Sequence, residues 1–539
     1  MWQKYLSTCP EQDRLLYEEI IRECGSDWAA LQRAFVKSTD EYLDVELQKP
    51  VDATVGSHEA GGQFRIAFPH LMVRPRKDVE ECMKNLMECR RKHTLFKRYH
   101  GYVNCHEVHH EIETFIYYQN GLVYYQLPGK ETALESIFDF AEHLGNWAEG
   151  VPDWYDWDAH GFTSIYLGTR DVRNYPPYDY QEANHFRFLS EAVVAYLETK
   201  EQKYMDLILD YTNRWCEFVE AVPEHGLVRT HILPEHAMSN FKETNQNDAE
   251  ISHDAAKYTV FYCALCWATM IDLVNAFLNA YILTGNERYV RAAEKCMDQC
   301  FDHSDGIRPA VWNEDDQWKL SGSDFHNDIR PVYEGKTLRP FCDEEFYFTK
   351  ALMRYTRMTG SMRYKDAVLR WANDVNDDEN EYDQMGANLF VLAHYMDGDE
   401  KWLARAYDHA LRLRAMTEND DFFHQCEQNR RQGSKVAVEL LYSVMLGDST
   451  FTTRGEMPDP MFRYEMNGVP GLNDNVAIRI WFKGEKEYNF EVKNLSSEDA
   501  EIHVHMYNGN NVKVILAGEE TNGVIKVPGN ASVKGIFHT

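Results

Sequence analysis

Four short punctuation marks, each set between two helical stretches, limit what this chain can become. They read YLETKEQKYMDLILDY around Tyr204, YILTGNERYVRAAEKC around Tyr289, YTRMTGSMRYKDAVLRW around Tyr364 and HYMDGDEKWLARAYDHA around Trp402. In each, an apolar helical stretch stops at a polar turn that usually carries Gly or Asp. A second helix then opens two or three residues before an aromatic placed to cover the turn. A connection this short sends the second helix back along the first, so each mark predicts an antiparallel helical hairpin.

The aromatic marks lie 85, 75 and 38 residues apart, so the hairpin recurs while the link to the next one varies. A regular solenoid would hold its period more tightly. The long links, residues 150–181, 222–257 and 304–342, concentrate Trp, His, Asp and Arg. Long loops inside a compact domain are where function tends to collect. Residues 10–48, 78–98, 103–120, 130–148 and 431–446 also read as helical. That makes at least six hairpins or hairpin halves, enough to close a ring. Residues 259–284 have about the length of a bilayer span. Asp272, Asn275 and Asn279 would be costly in lipid and are readily satisfied among other helices, so the segment is read as a buried inner helix.

Near Thr450 the period changes, and from Ala477 the chain alternates as half-buried strands do: AIRIWF, EYNFEVKN, EIHVHMY, VKVILAG, GVIKVPG and VKGIFH. These predict a small antiparallel sandwich, read as structural because its turns carry no convergent acidic or histidine cluster. The expected fold class is mainly α: an (α/α) toroid over residues 1–455, including an N-terminal helical extension, then a β-sandwich accessory domain over 456–539.

The formal charge of −31 is spread along the chain, which disfavours nucleic acid and anionic membranes as partners. A uronate-bearing substrate would then need a local basic pocket. The start, MWQKYLSTCPEQDRLLYEE, lacks a basic segment followed by an apolar one, so a cytoplasmic location is expected. The 12 cysteines are scattered and read as reduced, mostly buried thiols.

Hairpins with short turns, irregular aromatic-rich links and a trailing β module resemble the (α/α) toroid carbohydrate-active enzymes, the six-hairpin glycosidases and toroidal polysaccharide lyases. The resemblance covers about residues 60–450 and rests on architecture. It implies an oligosaccharide substrate bound at the rim where the inner helices begin.

Three groups of residues suit such a site. In VPDWYDWDAHGF, Trp154 and Trp157 offer faces to sugar rings, while Asp156, Asp158 and His160 offer hydrogen bonds to hydroxyls. A helix is expected to start near Glu182, which would put Glu182, His185 and Arg187 in its first two turns with Glu182 and His185 on one face. The alternative is a surface loop and a capped helix. Second, His106, His109 and His110 share a helical face, and the segment also matches H-E-x-x-H, with His106 and His110 as zinc ligands and Glu107 as base. A glycan-facing cluster or buried hydrogen-bonded histidines are the competing readings; no cofactor is expected, and zinc is the exception to be checked. Third, Arg339 and Glu344 sit where a helix opens; a planar guanidinium suits a sugar carboxylate, though acidic residues there also serve as caps.

Two chemistries follow. A hydrolase needs one carboxylic acid and one carboxylate, for which Asp156, Asp158 and Glu182 are the candidates, with Glu344 behind them. A lyase needs a base beside a neutralised uronate, and Tyr180, Asn184, His185 and Arg187 would suit. Hydrolysis is placed ahead of elimination, and both ahead of a zinc peptidase or a non-catalytic scaffold.

Overall fold

The computed structural model describes residues 22–48, 67–98, 112–164, 166–175, 178–183, 185–222, 267–302, 345–374, 382–416, 438–447, 462–484, 486–506 and 512–539, with a few shorter pieces between them. The four punctuation marks are one turn used four times. The last residue of the first helix, Thr199, Thr284, Thr359 or Asp397, accepts a bond from the backbone N–H two residues on, at 3.2, 3.2, 3.1 and 2.8 Å. The residue between is left-handed: Lys200 at φ 61°, Gly285 at 70°, Gly360 at 71° and Gly398 at 76°. Glycine holds three of the four positions because only there does a side chain cost conformational energy.

The aromatics do something other than cover the turn. Tyr204 donates to Glu142 at 2.5 Å, Tyr289 to Asn213 at 2.8 Å and Tyr364 to Asp298 at 2.8 Å, each on the preceding outer helix. They stitch successive hairpins together. The indole of Trp402 stays in its own turn, on Asp397 at 3.0 Å.

Among the described residues the helices are α1 (Trp28–Glu46), α2 (Ala67–Val73), α3 (Lys77–Lys97), α4 (Ile112–Tyr124), α5 (Lys130–Leu144), α6 (His185–Thr199), α7 (Gln202–Ala221), α8 (Trp267–Thr284), α9 (Glu287–Asp302), α10 (Glu345–Thr359), α11 (Lys365–Asp374), α12 (Tyr382–Asp397), α13 (Glu400–Met416) and α14 (Val438–Leu446). The even-numbered helices form an inner layer: α4 packs on α6, α6 on α8, α8 on α10, α10 on α12, α12 on α14 and α14 on α2. Phe68 of α2 closes the circle, with its ring 5.7 Å from Tyr118 of α4 and stacked 5.5 Å from Tyr125. A Cβ at Gly121 would stand 2.7 Å from the Phe68 ring, so the absent side chain permits this closure. The fold is an (α/α) toroid, as the punctuation implied. Among the described residues it has one inner helix more than a six-hairpin ring, α14, and α1, from the opposite end of the toroid sequence, packs on α13 beside it. His70 of α2 locks them, with Nδ1 2.6 Å from Tyr442 of α14 and Nε2 2.8 Å from Asp40 of α1.

The links carry small ribbons: β1 (Tyr155–Asp156) with β2 (Gly161–Phe162), β3 (Gln181–Glu182) with β4 (His231–Ile232), and β5 (Lys242–Thr244) with β6 (Asp248–Glu250). The sandwich follows as β7 (Phe462–Met466), β8 (Val469–Pro470), β9 (Val476–Gly484), β10 (Glu487–Asn494), β11 (Ala500–Met506), β12 (Lys513–Leu516), β13 (Glu519–Asn522), β14 (Val524–Val527) and β15 (Ser532–His538). Its sheets run β13-β12-β15-β10-β9 and β14-β11-β7-β8, with antiparallel neighbours.

Helix ends leave carbonyls without intrahelical partners, and the sandwich supplies donors where the inner helices end. The Leu472 N–H donates to Val73 O at 2.8 Å, Arg463 to Tyr125 O, the Tyr464 hydroxyl to Met445 O, and Arg479 to Gly398 O at 2.7 Å. One end of the bore is thereby capped. A cavity of about 710 Å³ lies at this end, between α1 and residues 472–476. The β1–β2 and β3–β4 ribbons lie at the other end, where the inner helices begin. No helix among the described residues is long and apolar enough to cross a membrane, and Asp272, Asn275 and Asn279 are buried within the ring.

Candidate active site at the open rim

The described part of the rim is built on two segments. The first is the β1–β2 hairpin, held by Asn146 just past α5. This residue takes φ 64°, its Oδ1 accepts from the N–H groups of Trp154 and Tyr155 at 2.8 and 3.0 Å, and its Nδ2 donates to Tyr155 O at 2.6 Å. Asp210 of α7 fixes the other side, accepting from the Tyr155 hydroxyl at 2.6 Å and facing His160 Nδ1 at 2.8 Å. Burial, then Asp210, push the Tyr155 phenol far above its ordinary range. It stays neutral.

These contacts sort the sugar-binding candidates of the hairpin. Trp154 is fully buried, its indole donating to Gly168 O at 3.2 Å and its ring edge-on to Phe140 and His143. It presents no face to a sugar and serves as the loop's core, a correction to the stacking role expected of it. Asp156 is exposed and makes the turn, accepting from the N–H groups of Asp158 and Ala159 at 2.9 and 3.0 Å. Asp158 and His160 are exposed, and Trp157, 38% exposed, leans on Trp147 and Tyr155. This face points outward over α5 and α7.

The second segment is β3 and the start of α6. The expected helix from Glu182 starts instead at His185, because Glu182 pairs with His231 in the β3–β4 ribbon. Glu182 and His185 therefore share no helical face. The Gln181 amide packs on Gly161, where a Cβ would lie 2.0 Å away, so strand alternation turns Glu182 to the opposite side, away from the hairpin. Glu182 is 6% exposed and Tyr180 5%. His185 is buried with its ring 4.9 Å from Phe162 and its Nδ1 3.3 Å from the Tyr211 hydroxyl. That places it on the side of α6 facing α7.

Arg187 lies on the other side. Phe188 meets Phe140 of α5 and Phe186 meets Trp215 of α7, so the face carrying Arg187 and, one turn on, Glu191 is turned to the bore. The Arg187 Nε donates to Asp272 of α8 at 3.2 Å, a pair with side chains 4% and 0% exposed. Glu191 accepts from the Gln119 amide of α4 at 3.0 Å, and burial pushes its carboxyl up to about 8 against the pull of Gln119 and Asn120. Across the ring, Arg354 of α10 donates to Asn275 and Asn279 of α8, and Lys350 is buried one turn above it. Sequence reasoning missed Glu191, Gln119, Lys350 and Arg354. The available signal was a charged residue inside an otherwise apolar inner helix, as in SEAVVAYL.

His106, Glu107, His109, His110, Asn184, Arg339 and Glu344 lie outside the described residues, so the zinc expectation at His106 and His110 does too.

No family profile and no curated protein matches the sequence. Among solved structures, the chain is similar to an unsaturated glucuronyl hydrolase specific for heparin, at 11% identity and TM-score 0.39, over 72% of this chain and 96% of that one. A GH127 β-arabinofuranosidase matches at 11% identity and TM-score 0.28, over 94% of this chain and 76% of that one. A GH127 β-L-arabinofuranosidase from Geobacillus stearothermophilus T6 matches at 12% identity and TM-score 0.22, over 99% and 80%. At such scores these likenesses carry no weight for the chemistry, and the toroid rests on the helix contacts described above.

Proposed function

We propose that this chain is a glycoside hydrolase acting on oligosaccharides, uronate-containing ones among them, at the open rim of the toroid. The observation that carries this reading is the polar interior beneath the rim. Buried ion pairs are poor stabilisers compared with apolar packing of the same volume. Yet the bore-facing positions hold Arg187 with Asp272, Glu191 with Gln119, and Arg354 with two asparagines. Such a lining makes sense under a site that orients polar groups.

Glu182 is the proposed acid or base, since it is the rim carboxyl turned away from the outward hairpin, and Glu344 is its proposed partner. Asp156 and Asp158 are reassigned from catalysis to outer contacts with the substrate, beside Trp157 and His160. Hydrolysis is preferred to β-elimination because His185, one of the two bases offered for a lyase, is packed between Phe162 and Tyr211, the other, Tyr180, is buried, and Arg187 is engaged by Asp272.

The test is incubation with a panel of neutral and uronate oligosaccharides, with products separated and near-ultraviolet absorbance followed. Released saccharide without an absorbance rise supports the proposal. A steady rise, the signature of an unsaturated uronate, would replace it with elimination.

A further inference from the structure

Behind the rim hairpin, on the outer wall, three side chains that the proposed hydrolysis does not use converge. Asp139 and His143 stand at i and i+4 on α5, one above the other. His100 comes from a turn three residues past the end of α3, with φ 53°, a conformation that a side-chain-bearing residue rarely takes. It brings the His100 ring centroid within 5.0 Å of that of His143 and Nδ1 within 3.5 Å of Asp139 Oδ1. One ligand-type atom from each residue falls within 4.8 Å of the other two.

We propose that His100, Asp139 and His143 form a binding site for a divalent transition metal, zinc first, which ties the end of α3 to the end of α5 beneath the Trp154 hairpin. Two imidazoles and a carboxylate are a borderline donor set that suits zinc and disfavours magnesium and calcium, which prefer oxygen. Tetrahedral zinc with bonds of about 2.0 Å holds its ligands roughly 3.3 Å apart, and a water would complete the shell. The site must contract by about an ångström on binding. His100, on a turn with its side chain 40% exposed, is the residue free to move.

The surroundings are those of a ligand set. The other oxygen of Asp139 accepts from Arg91 at 2.8 Å, which orients the carboxylate and leaves Oδ1 for the metal. His143 is buried edge-on to Trp154 at 6.0 Å.

The full chain, stripped with a chelator, is dialysed against zinc chloride beside the His100→Ala variant, whose altered residue is on a partly exposed turn. The expected result is about one equivalent of zinc fewer in the variant, whatever zinc the chain carries elsewhere, and a zinc-induced rise in Tm seen in the wild type and lost in the variant. Asp139→Asn serves as the second variant and is expected to weaken binding at least tenfold with the fold retained by circular dichroism. Equal stoichiometry in wild type and His100→Ala overturns the proposal, as does displacement of the zinc by equimolar magnesium. Neither readout depends on the enzyme's activity.

Discussion

At the scale of single residues, Glu191 shows how a ring converts a common residue into a special one. Its carboxyl ordinarily titrates at 4.5 and is raised to about 8 in the fold, first of all by burial. A raised folded pKa means that the native state binds the proton more tightly than the unfolded chain. The stabilisation is complete below about pH 4.5 and is lost as pH climbs towards 8. Glu191→Gln keeps the shape and removes the titration. The stability of the variant relative to wild type should therefore rise between pH 5 and 8, by on the order of several kcal/mol, and level off above. Parallel urea titrations over that range check this, and a flat difference would refute it. Asn146 is the second test at this scale. Replacing it with Ala leaves the N–H groups of Trp154 and Tyr155 without their shared acceptor, at an expected cost of about 2 kcal/mol. Neither residue announced itself in the sequence. Glu191 reads as one more solvated helix glutamate until the ring shows which face is inside, and Asn146 acts on residues eight and nine positions away.

At the scale of elements, the repeated turn was legible because its signal is local: a polar helix end, a left-handed position, a second helix. Its consequences were less so. That the hairpin tyrosines stitch neighbouring hairpins depends on partners 62 to 76 residues away. Tyr289→Phe should cost about 1 kcal/mol, the worth of one such bond, with no change in helix content. Gly398 is stricter, since it holds φ 76° and a Cβ there would stand 2.3 Å from the Trp481 indole. Gly398→Ala should lose roughly 1–3 kcal/mol through strain and overpacking, measured as a fall in the urea midpoint. Several elements and boundaries escaped the sequence reading, among them α2, β7 and the start of α6. Strand β7 was passed over although Asn467-Gly468, at φ 51° and 79°, is a strong hairpin signal. The start of α6 was set three residues early because pairing between Glu182 and His231 cannot be seen in either segment alone.

At the scale of the molecule, the two ends of the toroid have different work. The sandwich is fastened to the end where the inner helices finish, by bonds from residues 463–479 to their last carbonyls. Arg479 is the central fastener. It donates to Glu491 at 2.8 and 2.6 Å and to Gly398 O at 2.7 Å, and lies between the rings of Trp28 and Trp481 at 5.4 and 4.9 Å. Arg479→Met would leave Glu491 buried with Lys534 as its one ion-pair partner among the described residues, and should destabilise the chain by about 3 kcal/mol. Helix pairs, their ring and the trailing sandwich could be read from periodicity and turn chemistry. Which carboxyl faces the substrate could not, since hairpin and strand residues divide between the outer wall and the bore only once the chain has closed on itself.

The most direct measurement is cleavage of the oligosaccharide panel in oxygen-labelled water, by wild type and by Glu182→Gln, with the products weighed by mass spectrometry. Hydrolysis at this rim predicts one labelled oxygen at each new reducing end, and a rate lower by about a thousandfold in the variant. Unlabelled products, or a variant as fast as the wild type, would contradict it.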